Sequence, residues 1–195
     1  LQQLDAVLQF WLQAGRVLVL AGSLPPGIPE DAYARYIRLA HSQGIRTILD
    51  ASGVHLRLGV EAGPYAIKPN VAEAEELLGR RLPDLEAVVA GARELAARGI
   101  AVVVVSMGAQ GAICVEGGRV WRATPPEVER QSTVGSGDSF VAGLAVALAR
   151  GEGVEQGLRL GTAAGAATAA TPGTELGSAE AVQALLPQVR VGRVG

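Results

Sequence analysis

Apolar residues recur along the chain in two alternating rhythms, and the alternation predicts a layered fold. Leu1, Leu4, Val7, Leu8, Trp11 and Leu12 fall at helical spacing up to Gly15, and residues 16–21 follow as an apolar run read as a short buried strand. Helical spacing returns over 30–43 and is closed by Gly44. Thr47-Ile48-Leu49-Asp50 then reads as the next strand and completes a β-α-β unit. His55 falls in the loop that follows, 65–68 is a third strand, and Pro69-Asn70 opens a helix over 71–78. After a helix over 85–98 ended by Gly99, residues 101–106 are almost wholly apolar, as a parallel strand covered on both faces would be. Residues 112–116 and 119–122 flank Gly117-Gly118 and predict a hairpin.

The C-terminal part reads as helical. Phe140, Val141, Leu144, Ala145 and Leu148 are spaced for a helix that starts at Asp138 and stops at Gly151. A helix dense in Gly and Ala spans 154–171, where small side chains would admit a neighbouring helix or a flat ring at close range. A last helix runs from Ser178 to about Leu186, and residues beyond Pro187 are expected to be loosely held. The alternation as a whole predicts an α/β fold, a largely parallel sheet with helices on both sides and ligands at the strands' carboxyl ends.

Composition narrows the classes. With 195 residues, 49% of them hydrophobic, the chain can bury one sizeable core, and its 26 glycines and 4% aromatics predict close packing through small side chains. Seventeen Lys and Arg balance 19 Asp and Glu for a formal charge of −2 with no basic run, so nucleic acid is not the expected partner. Cys114 is the only cysteine, which excludes an internal disulfide or a cysteine-built zinc site and fits a reducing cytoplasm. No apolar stretch reaches the ~18 residues of a membrane span, so no membrane partner is expected. The chain begins directly on a helical pattern with no Met and no capping residue, and is expected to be a fragment whose preceding part continues the domain.

Chemistry concentrates in Ser132-Thr133-Val134-Gly135-Ser136-Gly137-Asp138. A glycine-rich loop running into a helix N-terminus presents unpaired N–H groups and the positive end of the dipole, which suits an anion such as phosphate. A carboxylate at such a site would repel that anion, unless its task is to take a proton from the group that attacks it. Capping is the plainer reading of Asp138, but a cap alone does not call for two glycines and a serine in the three preceding positions. Asn70 and Glu73 fit a capping box, Ser23 fits a turn in Gly22-Ser-Leu-Pro-Pro-Gly27, and Ser106-Met-Gly-Ala-Gln-Gly111 fits a glycine turn. The chain holds no Gly-x-x-x-x-Gly-Lys-Ser/Thr run, no third glycine after Gly135-x-Gly137 and no Gly-x-Ser-x-Gly elbow. P-loop, dinucleotide and hydrolase chemistries are therefore not expected. His41 and His55 lack the spacing of a metal pair.

Residues 132–143 resemble the second signature of the ribokinase-like (PfkB) carbohydrate kinases, with Ser132 where that family more often has Asp or Asn. Lys68-Pro-Asn70-x-x-Glu73 is similar to the family's Asn-x-x-Glu motif, and Gly22 to Gly27 looks like its phosphosugar branch. The resemblance implies a three-layer α/β/α domain of which residues 1–195 form the C-terminal two-thirds, lacking the N-terminal strands and the lid. It implies Asp138 as general base beside an anion hole at Gly135, Ser136 and Gly137. Lys68, Asn70, Ser106, Gly108, Ala109 and Gly111 would lie along ATP, Glu73 would organise Mg²⁺, and Ser23 would approach the sugar phosphate. The implied reaction is ATP-dependent phosphorylation of a sugar phosphate, foremost fructose 1-phosphate, with tagatose 6-phosphate or fructose 6-phosphate as alternatives. A chain that binds nucleotide without catalysis is the other alternative. The complete protein is expected to be cytoplasmic and a possible homodimer.

Overall fold

The structure, a computed structural model, describes residues 2–194. The elements in order are α1 (Gln2–Leu12), β1 (Val17–Ala21), α2 (Ala32–Ser42), β2 (Arg46–Asp50), α3 (Gly53–Glu61), β3 (Ala66–Ile67), α4 (Val71–Leu78), α5 (Leu85–Ala97), β4 (Val102–Ser106), β5 (Ala112–Glu116), β6 (Arg119–Thr124), α6 (Ser136–Ala149), α7 (Val154–Ala169), α8 (Ala179–Leu185) and β7 (Arg190–Val194). The seven strands form one sheet in sequence order. β1 to β4 pair in parallel, and β5, β6 and β7 continue the sheet antiparallel.

Alternate side chains of each strand feed two opposite apolar layers. Leu49, Ile67, Val103, Val105 and Ile113 pack beneath α2, α3 and α5, while Ile48, Ala66, Val102, Val104 and Cys114 pack beneath α6 and α7. Both faces are covered, which is why β4 carries four consecutive valines with no polar alternation. Cys114 lies inside this second layer, and burial pushes its thiol pKa well up, leaving an inert apolar residue.

The structure corrects four expectations. His55 belongs to α3, a nine-residue helix packed on β2, and not to a loop. Among the described residues β1 pairs with β2 alone, and of its residues only Leu20 is buried. The third strand shortens to Ala66–Ile67. Residues 190–194 are not loose but form β7, with Val189 buried beside it and the Arg193 guanidinium 5.0 Å from the Trp121 ring centroid. No helix of the described residues is long and apolar enough to cross a membrane.

The connection from α4 to α5 hangs on one carboxylate. Glu75 accepts from the Leu82 N–H at 2.7 Å and from Arg81 at 2.8 Å, and the Leu82 bond above all, then Arg81, lowers its pKa below the ordinary 4.5. A depressed folded pKa gives stability that is present above 4.5 and lost as pH falls through the lowered value. The protection of the Leu82 amide, its exchange rate relative to the intrinsic rate at the same pH, is therefore expected to fall on acidification through that window, and to be low already at neutral pH in Glu75→Ala.

Candidate active site

The carboxyl ends of β3 and β4 open beside the N-terminus of α6, and a cleft of about 430 Å³ lies there. Lys68, Asn70, Ser106, Gly108, Ala109, Gly111, Ser136 and Gly137 all line it. Eight of the residues singled out from sequence therefore meet in one space, although they come from three separate stretches of chain: the β3–α4 connection, the end of β4 with the loop to β5, and the start of α6. Four do not line it. Gly135 shapes the turn from behind, Asp138 is exposed on the first turn of α6, Ser23 follows β1, and Glu73 lines a separate cavity of about 240 Å³ with Arg57 and Glu76.

The α6 entrance depends on Gly135, the residue before the helix, whose φ of 77° is the left-handed region that glycine enters without strain. Val134 N–H donates to the Ser132 hydroxyl at 3.2 Å, and Ser136 N–H makes a long 3.4 Å bond to the Thr133 carbonyl. Among the described residues no backbone acceptor takes the N–H groups of Gly137 and Asp138, and the buried Ser136 hydroxyl has no partner. The N–H groups of Gly137 and Asp138 and the Ser136 hydroxyl are thus free donors at the start of α6, the arrangement that suits an anion.

Beneath that turn lies a pair of opposite charges. Lys68, just past β3, places Nζ 3.0 Å from Oδ1 of Asp50 at the end of β2, and both side chains are largely buried. A Cβ added to Gly137 would lie 3.5 Å from Lys68 Nζ, so the ammonium sits directly against the first turn of α6. Burial raises the pKa of Asp50 most, Lys68 pulls it back down, and the charge of Asp138 pushes it up again. Asp50, Lys68 and Asp138 thus form one electrostatic group at the end of the parallel strands.

One wall of the cleft is made of small side chains. Thr162, Gly165, Ala166 and Ala169 lie at helical spacing on one face of α7, the Thr162 hydroxyl buried without a partner, and Pro126 and Val128 line the cleft as well. The sequence signal for this wall was the Gly and Ala density of α7, and the structure divides its small residues between packing on α6 and lining the cleft. Asn70 and Glu73 form a complete capping box, Asn70 N–H to Glu73 Oε2 at 2.8 Å and Glu73 N–H to Asn70 Oδ1 at 2.9 Å. Capping and cleft lining coexist at Asn70.

Residues 1–181 match the family description "pfkB family carbohydrate kinase". The chain belongs to the pfkB family. It is 44% identical over 174 residues to 1-phosphofructokinase of Rhodobacter capsulatus, covering 89% of this chain and 55% of that one. It is 39% identical over 174 residues to ATP-dependent 6-phosphofructokinase isozyme 2 of Escherichia coli, covering 88% and 56%. The crystal structure of Escherichia coli phosphofructokinase-2 in complex with substrates and products superposes with a TM-score of 0.87 at 35% identity, covering 96% of this chain and 62% of that one. The chain thus spans little more than half the length of these curated relatives. Within the pfkB family the three-layer architecture is shared, and the cleft described above lies in the part of the fold that the match covers.

Proposed function

We propose that the chain carries the nucleotide site and the general base of an ATP-dependent sugar-phosphate kinase, with fructose 1-phosphate as the acceptor. The observation that carries this reading is the α6 N-terminus, where free N–H donors and the Lys68 ammonium face a cleft and a carboxylate, Asp138, stands on the same turn. Phosphoryl transfer asks a protein mainly for charge stabilisation and positioning. Here the N–H groups of Gly137 and Asp138, the Ser136 hydroxyl and Lys68 would hold the phosphoryl oxygens. Asp138 would take the proton of the sugar hydroxyl as its oxygen attacks the γ-phosphorus and the bond to the bridging oxygen breaks. The nucleotide base would lie along the small-residue face of α7.

The cleft fits ATP in size. For Mg²⁺ the donor set is sparse: among the described residues no three acidic, His or Cys side chains converge. Mg²⁺ commonly keeps several waters and binds substrate phosphates, where it neutralises their charge. Glu73 would act on such an ion through water, with the oxygen that Asn70 leaves unused.

Choice among sugars rests on the relatives. Identity of 44% to a 1-phosphofructokinase supports fructose 1-phosphate, while the match to a 6-phosphofructokinase keeps fructose 6-phosphate, and with it tagatose 6-phosphate, as alternatives. One observation favours the second reading, a chain that binds nucleotide without transfer: it spans only 55% of the first of those enzymes. ADP formation from MgATP, measured with each of the three sugar phosphates in turn, separates these readings. Turnover is expected with fructose 1-phosphate above the others. ADP binding without turnover on any sugar would leave the second reading.

A further inference from the structure

Asp50 is unaccounted for by the proposed reaction, yet it is one of the few carboxylates withdrawn from solvent. Its side chain keeps 15% exposure and its partner Lys68 7%, and they meet at 3.0 Å. Removing both charges from water is costly, so a pair of this kind is weak evidence of a stabilising role. Its location is more informative. The two residues end adjacent parallel strands, and the ammonium they share lies under Gly137, where an anion would meet it. An ammonium has three donors. Asp50 occupies one, and among the described residues no other carboxylate lies within ion-pair distance of Lys68. A four-carbon stem with a free end has many rotamers, and a lysine with no fixed partner would lose entropy on each binding event.

Resting on the kinase reading, we infer that Asp50 is a positioning residue: its carboxylate holds the Lys68 ammonium against the first turn of α6, so that the remaining donors point at the bound phosphate. The group that touches the ligand is Lys68, and Asp50 acts through it. The pair therefore favours the phosphate chain of a nucleotide and is indifferent to its base and ribose.

The test is a pair of affinities, for ATP and for adenosine, measured calorimetrically on the full chain as wild type, Asp50→Asn, Lys68→Met and the double variant. Asp50→Asn and Lys68→Met are each expected to weaken ATP about tenfold, the order of one charge-assisted hydrogen bond, and to leave adenosine unchanged. In the Lys68→Met background, Asp50→Asn is expected to add nothing. Asp50→Glu, which keeps the charge and moves it by one methylene, serves where Asp50→Asn does not fold, and is expected to weaken ATP alone. The inference is overturned if either Asp50 variant binds ATP as the wild type does, loses adenosine equally, or costs as much without Lys68 as with it. A wild-type chain that binds neither ligand would instead sink the kinase reading itself, and one that binds both without turnover would leave the inference standing on its own measurements.

Discussion

Asp138→Asn is expected to lower turnover of the sugar-phosphate acceptor by at least ~10²-fold, the scale of general-base effects, while nucleotide affinity stays the same or improves. The direction of the second effect is the more telling. Asp138 is the third residue of α6, where a negative charge favours the helix dipole by about 0.3–1 kcal/mol. If that were its whole task, Asn would cost the fold a fraction of that energy and leave turnover alone. As a base, the carboxylate stands beside the anion it helps to transfer, so its removal relieves repulsion in the ground state and deprives the transition state of its proton acceptor. Asn keeps the shape and the helix. Single-turnover rates, an ADP dissociation constant and a melting temperature on the same sample decide between the two roles, and unchanged turnover would end the base assignment.

The start of α6 was legible because the turn residues and the apolar spacing of the helix share one stretch of chain. A glycine-rich loop ahead of Phe140 and Leu144 says both that a helix starts and that its N-terminus is open, and the structure adds only which N–H groups remain free. Asp50 with Lys68 was not legible, since the pair is eighteen residues apart and arises only when β2 and β3 lie side by side. The same limit hid α3. His55 reads as a loop residue, yet a Cβ on Gly59 of the same segment would run into the Leu49 side chain, so that glycine marks close packing of helix on strand. β7 was hidden for a different reason. Its residues Arg190-Val-Gly-Arg-Val194 carry few apolar side chains, and its order comes from backbone pairing to β6.

Gly143→Ala and Gly161→Ala are expected to destabilise the fold by about 1–3 kcal/mol each, the cost of overpacking a close contact. Helix propensity predicts the opposite sign, because Ala in a helix interior gains about 0.5–1 kcal/mol over Gly. Contact decides. A Cβ on Gly143 would lie 2.6 Å from the Gly161 backbone, and one on Gly161 would lie 2.7 Å from the Phe140 carbonyl oxygen. These are backbone atoms that cannot swing aside, so α6 and α7 must separate. Gly192→Ala on β7 meets nothing within 4 Å and serves as the comparison. Denaturant midpoints of the three variants test the sign directly, and stabilisation by either helix substitution would disprove the close crossing. The crossing also reaches the cleft, since Gly165 and Ala166, one turn beyond Gly161, line it, and a Cβ on Gly165 would lie 3.1 Å from the Ser136 carbonyl oxygen. Moving α7 outward should therefore weaken adenosine as well as ATP, which separates this route of damage from the loss of Lys68 or Asp50, where the phosphates alone are affected.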